Sequence, residues 1–363
     1  MIEEKQIAVG LSLSLTGSFA RQGQQALNGI RIWQSYVNSA GGLDLGGQER
    51  TIRLLFYDDR SRATLAQQNV LRLLRDDRVH VLFGPYSSGL TLAVAPIAEQ
   101  HRRILWNHGG SSDEIGNRGH RWLVSVPSPA SDYLRALPQW LATHTPHLRR
   151  ICVLHSVRGT FASHVTRGLM EAVQALGRHA SEVVPLEFRN LGEDAIPRRL
   201  DSLRPQIVVV VGRFEEEVRL LRMRHRWPET IELTAGVAPG VHAFYEELQG
   251  AAEGAIGPSQ WEPQGHRGPI LGPDSDWFVR KFHERFGDLP EYTAAAGFAV
   301  GLVFAECARR ASSLEEEGLR TVATELDLNT FYGRFCLNPT TGCQIGHRVL
   351  LIQWRQGRRV ILT

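Results

Sequence analysis

Apolar and polar positions along the chain follow two alternating rhythms. Residues 7–15, Ile-Ala-Val-Gly-Leu-Ser-Leu-Ser-Leu, form a short and nearly continuous apolar run, the mark of a strand buried on both faces. A Thr16-Gly-Ser turn follows. From 22 to 39, Ala26, Ile30, Trp33 and Val37 then recur at helical steps on one face, and Gly41-Gly42 stops the helix. The same unit repeats as strand 52–58 (closing on Asp58-Asp59), helix 64–76, strand 79–84, helix 91–101 and strand 104–107. After a crossover near 125–132 the rhythm restarts, with strand 150–155, helix 161–176, strand 181–188, helix 195–203, the strongly β-branched strand 206–212, helix 215–226 and strand 231–235. The pattern predicts an α/β fold of two doubly wound parallel-sheet lobes.

The last third breaks the alternation. Residues 277–286 and 293–311 read as helices, and 333–336, 348–354 and 360–362 as antiparallel strands. The expected division is lobe 1 at 1–127 with a return segment at about 255–330, and lobe 2 at 128–254 with C-terminal strands at about 331–363. A chain that crosses more than once between lobes makes a multi-crossing hinge rather than a single linker.

Composition narrows the function classes. The 363 residues carry 42% hydrophobic and 22% charged side chains, which excludes a disordered or fibrous chain. Lys+Arg 41 against Asp+Glu 38 gives +3, too balanced to imply a nucleic-acid partner. The most apolar stretch, 294–305, is short of the roughly 20 residues a membrane span needs and reads as a buried core helix. The opening Met1-Ile-Glu-Glu-Lys has no apolar signal core, so a cytoplasmic protein and one whose export signal was removed both stand open.

In open α/β sheets, ligands bind beyond the carboxyl ends of the strands. The segments there are rich in glycine and serine. Gly84-Pro-Tyr-Ser-Ser-Gly runs from strand into helix, placing Ser87 and Ser88 near a helix N-terminus, where free N–H groups and hydroxyls suit a carboxylate. The competing role is simple helix capping. His108-Gly-Gly-Ser-Ser repeats this chemistry, so Gly109, Gly110 and Ser111 would complete a donor-rich cradle. No G-x-S-x-G elbow, phosphate-binding loop or dinucleotide fingerprint follows a strand, and no metal-binding histidine pair occurs. The expectation is a binding protein without catalytic residues, metal or cofactor. Asp58-Asp59 reads as structural, and Glu215-Glu-Glu as a favourable helix start.

At these residues the chain resembles the type I periplasmic binding proteins, specifically the branched-chain amino acid and amide-binding group of ABC importers. The resemblance runs through Gly10-Leu-Ser-Leu-Ser-Leu-Thr-Gly, Asn38-Ser-Ala-Gly-Gly-Leu, Tyr57-Asp-Asp, Leu82-Phe-Gly-Pro-Tyr-Ser-Ser, Trp106-Asn-His-Gly-Gly-Ser-Ser and Gln344-Ile-Gly-His…Gln353-Trp, nearly the whole chain. It implies two lobes closing on one small ligand (an amino acid, amide, small carboxylate or aromatic acid) and a membrane permease as partner. The implied location is periplasmic, or extracytoplasmic with a lipid anchor. A ligand-sensing regulator or receptor domain of the same fold is the alternative. The matching ligand residues are Ser87, Ser88, Gly109, Gly110 and Ser111 from lobe 1, with Tyr86 beside them, and Thr160, Phe161, Arg213 and Phe214 from lobe 2. Amino-acid binders of this group carry an acid after the last lobe-2 strand; ungapped matching puts Ala235 there, which points away from a simple α-amino acid. Cys336 and Cys343 flank the turn sequence Leu-Asn-Pro-Thr-Thr-Gly and form a disulfide candidate across a hairpin, with two free thiols as the other reading.

Overall fold

The computed structural model describes residues 5–177, 182–186, 194–265, 268 and 270–363. The chain divides into two compact units, Met1–Ser128 with Pro263–Arg348, and Pro129–Glu262 with Val349–Thr363.

The first unit opens with β1 (Gln6–Leu13), α1 (Ala20–Ser39), β2 (Leu43–Asp44), β3 (Glu49–Asp58), α2 (Ala63–Arg75), β4 (Val81–Phe83), α3 (Ser88–Gln100), β5 (Leu105–Asn107), α4 (Glu114–Asn117) and β6 (Leu123–Ser125). Its sheet runs β2-β3-β1-β4-β5-β6, parallel except for β2. From β1 the chain turns first to β3 on one side and then to β4 on the other. The order therefore reverses between β1 and β4, where doubly wound sheets leave a crevice at the strand ends. Ala8, Leu82, Leu105 and Leu123 pack one face beneath α2 and α3. The other face holds Trp33 against Phe83, with ring centroids 5.6 Å apart, and Phe304 against Trp106 at 5.5 Å. Each such ring stabilises the unit by about 1.5–3 kcal/mol on burial.

The second unit contributes α5 (Leu137–His144), β7 (Ile151–Ser156), α6 (Phe161–Ala175), β8 (Glu182–Leu186), α7 (Ala195–Leu203), β9 (Ile207–Val211), α8 (Phe214–Arg222), β10 (Leu233–Gly236), α9 (His242–Leu248) and β11 (Ile256–Ser259). The predicted strand 181–188 falls partly outside the described residues. Successive residues of β7 and β9 serve opposite faces: Ile151, Val153, Val209 and Val211 pack with α5 and α6, while Cys152, Leu154, Val208 and Val210 pack with α7, α8 and α9. That two-sided burial explains the unbroken apolar run in β9.

The chain then returns to the first unit through α10 (Ser275–Phe286), α11 (Tyr292–Ala311), α12 (Glu316–Glu325), β12 (Asp327–Thr330) and β13 (Gly333–Cys336). It ends in the second unit with β14 (Leu350–Arg355) and β15 (Arg358–Ile361), giving the order β15-β14-β11-β10-β9-β7-β8. Here the order reverses between β7 and β9. No helix among the described residues is long and apolar enough to cross a membrane.

Three expectations change. The return segment runs over 263–348 rather than 255–330, and the terminal strands separate: β12 and β13 pair within the first unit, and only β14 and β15 join the second. The reason is local. Gly342 carbonyl accepts from the Ser125 amide at 2.9 Å, Gln344 Nε2 donates to the Val126 carbonyl at 3.1 Å, and buried His347 Nδ1 sits 2.7 Å from Ser128 Oγ. These bonds hold 342–347 against the exit of β6. Second, β2, β6, β11 and β12 are strands that the sequence pattern did not mark; β11 carries Gly257-Pro258, which interrupts its apolar signal. Third, Cys336 and Cys343 are free thiols. Leu337 pairs with Gln344, and the Ile345 amide donates to the Cys336 carbonyl, so the two cysteines are offset by two positions rather than opposed. Cys343 instead packs against Gly116, where an added Cβ would lie 2.3 Å from its Sγ.

Candidate ligand-binding site

The two adjacent serines after β4 have different jobs. Ser87 takes φ +87°, an uncommon conformation for a residue with a side chain, and its Oγ accepts from the Leu90 amide at 3.4 Å. It is the cap that starts α3 at residue 88, three residues before the predicted start. Ser88 Oγ accepts from two amides, Ser111 N at 3.2 Å and Ser112 N at 2.9 Å. A hydroxyl has two lone pairs and one proton. With both lone pairs engaged, the Ser88 proton is directed to an acceptor. The Ser88 and Gly89 amides beside it belong to the first helical turn, where the helix itself offers no acceptor.

The glycine cradle is a correction. Gly109 N and Gly110 N are not spare donors; both donate to Asn107 Oδ1, at 3.2 and 2.8 Å. Asn107 Nδ2 completes the clamp by donating to the Gly110 carbonyl at 2.7 Å and to Ser125 Oγ at 3.0 Å. The amides of 109–112 are thus all engaged within the unit, by Asn107 and Ser88. Gly109 is needed for closeness: it bridges to Tyr86, and a Cβ there would lie 2.7 Å from Tyr86 Cα. Ser111 is half-buried next to this clamp.

Aromatic side chains gather at the same strand ends. Phe19, after β1, meets Tyr86 edge-on at 5.7 Å, and Tyr86 Oη lies 3.1 Å from Tyr292 Oη. Phe19 directly follows the Thr16-Gly-Ser turn; Tyr292 arrives on a helix far along the chain. Arg21 secures that arrival through a 2.8 Å ion pair to Glu291, the residue before α11, whose side chain is only 7% exposed.

Asp58 and Asp59 are structural, as expected. Asp58 takes the Leu15, Thr16 and Arg60 amides and the Thr16 hydroxyl. Burial pushes its pKa up, but these bonds outweigh it and hold it below the usual range. Asp59 accepts from Ser12 and Ser14 hydroxyls in the interior, where burial prevails and raises its pKa. Together they staple the segment after β1 to the one after β3.

In the second unit Phe161 opens α6 and packs edge-on against Tyr133 at 5.3 Å, and Tyr133 Oη accepts from Gln260 Nε2 at 3.1 Å. Thr160 and Arg213 are exposed. The Arg213 amide donates to Glu216 Oε2 at 2.9 Å, which closes the start of α8. Phe214 leans onto the core around Val208 and Val210. Ala235 is a second correction: it lies inside β10, fully buried between Val209 and Ile256, and not in the loop beyond. The expected strand 231–235 ended on Ala235, whereas β10 runs one residue further, to Gly236, so the loop begins only at Val237. The residues that do follow, Val237-Ala-Pro-Gly-Val, contain no acid.

Glu217, beneath that loop, was not foreseen. It is fully buried, with Oε1 accepting from Gly212 N at 2.8 Å and Oε2 from Ala238 N at 2.7 Å, so it ties the loops after β9 and β10 together. Burial pushes its pKa up to about 8, against the amides of Ala238, Gly212 and Val237. His108, also buried, is pushed by burial down to about 4. The signs oppose. Glu217 holds a proton in the folded state that the unfolded chain releases above its ordinary carboxyl range, so its contribution to stability falls as pH rises towards 8. His108 stays neutral when the unfolded imidazole would charge, so its contribution falls as pH drops from 6.5 towards 4. Between 4.5 and 6.5 the two offset; above 6.5 only Glu217 acts, at up to about 1.4 kcal/mol per pH unit. Melting temperatures from pH 6.5 to 8.5 should decline in the parent protein and decline less in Glu217→Gln; parallel curves would refute the assignment.

Among the described residues no cluster of three His, Cys, Asp or Glu could hold a metal ion. A family model described as periplasmic binding protein matches residues 6–359. Over 126 residues the chain is 25% identical to Leu/Ile/Val-binding protein homolog 8 of Brucella abortus (strain 2308), a match that spans 35% of this chain and only 30% of that protein. Two solved structures share the fold over 98% of this chain. One is the leucine-binding protein LivK of Thermotoga maritima MSB8, with TM-score 0.82, 19% identity and 97% of its chain covered. The other is an ABC transporter solute-binding protein of Rhodopseudomonas palustris BisB5 in complex with 3,4-dihydroxybenzoic acid, with TM-score 0.79, 17% identity and 95% covered.

Proposed function

Because the chain belongs to the periplasmic binding protein family, matched over residues 6–359, we propose that it is the solute-binding component of an ABC importer, that it captures one small carboxylate with an aromatic body, and that it hands this ligand unchanged to a membrane permease outside the cytoplasm. The observation that carries the reading is the Ser88 hydroxyl. Its lone pairs are engaged by the Ser111 and Ser112 amides, so it selects an acceptor, and the first-turn amides of α3 favour a negative one. Ser87 and Asn107 hold this corner in shape, and Ser111 borders it. Phe19, Tyr86 and Tyr292 supply a wall for a flat ring, and Thr160, Phe161, Arg213 and Phe214 are the candidate contacts on the second unit.

The aromatic body is preferred to an α-amino acid for an electrostatic reason. The loop 237–241 has no acid, and Glu217, the carboxyl that reaches it, is buried with both oxygens engaged. A ligand ammonium near that loop would be left unpaired, which is costly. The Rhodopseudomonas palustris relative, solved with a dihydroxybenzoic acid, and the leucine-binding relative mark the two ends of this choice. Thermal-shift measurements with benzoate, 3,4-dihydroxybenzoate, benzamide and leucine test it. The two acids should stabilise the protein, by about 2.7 kcal/mol at a hundredfold excess over Kd, and benzamide and leucine much less. Selective, tight leucine binding, or equal shifts from benzoate and benzamide, would overturn the assignment.

A further inference from the structure

We propose that the second unit carries another small-molecule site, at the end of its sheet opposite its strand-end loops, and that this site takes a small carboxylate with a flat apolar body. It goes beyond the function proposed above and does not depend on it. A cavity of about 440 Å³ opens where the chain enters β10 and β11, lined among others by Arg222, Arg224, Trp227, Pro228, Ile231 and Ala251. Its size suits a compact organic ligand. It lies at the C-terminal end of α8, whereas Arg213 and Phe214 lie at the N-terminal end of the same helix, so it is separate from the site described above.

The anchor is Arg224. Its guanidinium is half-buried, and burial lowers its pKa. One of its five N–H groups donates to the Glu253 carbonyl at 3.0 Å. Among the described residues no carboxylate lies within ion-pair distance of it, and the charge of Glu253 offsets the effect of burial only in part. The acids nearby are otherwise placed: both oxygens of Glu253 accept amides, from Gln356 at 2.8 Å and Gly357 at 2.6 Å, and Glu229 and Glu232 are exposed, the latter 3.6 Å from His147. Arg222 is paired with Glu247 at 3.1 Å. A partly desolvated guanidinium with unused donors is unfavourable alone and favourable with a bidentate carboxylate. Trp227, Pro228 and Ile231 beside it supply an apolar surface for a flat group.

The test uses the full chain with its eight tryptophans replaced by 5-fluorotryptophan, the Trp227 fluorine resonance being identified as the one lost in Trp227→Phe. Benzoate should move that resonance saturably. The same titration in Ser88→Ala, which disables the first-unit site, should give the same curve. Arg224→Gln should weaken the effect about tenfold or more and Arg224→Lys less, with the other seven resonances showing that each variant is folded. No movement at concentrations on the order of 10 mM would overturn the proposal. So would a shift that survives in Arg224→Gln, or one that disappears in Ser88→Ala. An equal response to inorganic phosphate would overturn the ligand class.

Discussion

Asn107→Asp should bind the ligand at least tenfold more weakly than the parent and melt several degrees lower. The change alters one group: Nδ2, which donates to the Gly110 carbonyl at 2.7 Å and to Ser125 Oγ, becomes an oxygen. Two acceptors then face each other in a fully buried place. The penalty is about 2–4 kcal/mol, from one lost bond and one unsatisfied carbonyl. It falls first on the 109–112 segment, whose amides Asn107 and Ser88 share, so Ser88 loses the arrangement that engages its lone pairs. Protonation of the new carboxyl restores a donor, so part of the loss should return at low pH. Ligand titration and melting at pH 5 and 8 check this. Unchanged affinity at pH 8 with a lowered melting temperature would remove Asn107 from the binding machinery and leave it a purely structural residue.

Gly29→Ala should cost about 3 kcal/mol or more and unfold the first unit at much lower denaturant. α1 crosses α11 so closely at this point that an added Cβ would lie 1.9 Å from the Ala294 carbonyl oxygen and 2.7 Å from its carbon. Both are backbone atoms of a helix buried along most of its length, so neither can give way cheaply. Gly318→Ala, in α12 of the same unit, is the control. Its nearest neighbour would be Glu315 Oε2 at 3.6 Å, an ordinary contact, and the higher helix propensity of alanine should stabilise slightly. Equal denaturation midpoints for Gly29→Ala and the parent would mean that α1 and α11 do not pack in this way. The collision also bears on the site, because α11 delivers Tyr292 to Tyr86.

Much of the fold was legible because burial leaves a local mark. The α1 face of Ala26, Ile30, Trp33 and Val37 is buried as its spacing predicts, and the apolar run at 294–305 is a core helix. β9, covered on both faces, is apolar throughout. The strands without an expected counterpart, β2, β6, β11 and β12, are two to four residues long, a length at which hydrophobic period is a weak guide. The site was legible as a set of segments but not as a set of roles. Ser87-Ser88 and Gly109-Gly110-Ser111 stand out as candidate segments, yet which serine caps the helix and which one accepts two amides depends on a φ angle and on amides some 23 residues away. Asn107 reads as the end of a strand. Ala235 reads as the boundary between a strand and the loop after it until its neighbours Val209 and Ile256 show it inside the sheet.

What the amino-acid order determined by itself is therefore the alternation of strands and helices, the two-lobe α/β plan, and the glycine- and serine-rich strand ends at which a ligand site is proposed. Those properties follow from propensity and hydrophobic period, which act within a few residues. Tertiary structure alone decided that the glycine amides are engaged by Asn107, that Ser88 is left to donate, that Tyr292 joins Tyr86, that Cys336 and Cys343 are out of register, and that residues 342–347 stay with the first unit. The Asn107 clamp and the offset cysteines are short-range contacts that hydrophobic period does not record, whereas the other three, Ser88 with Ser111 and Ser112, Tyr292 with Tyr86, and residues 342–347 with the exit of β6, join residues far apart in the chain. Such a bond depends on two backbones being brought to within about 3 Å by the rest of the fold, and no local pattern records that distance.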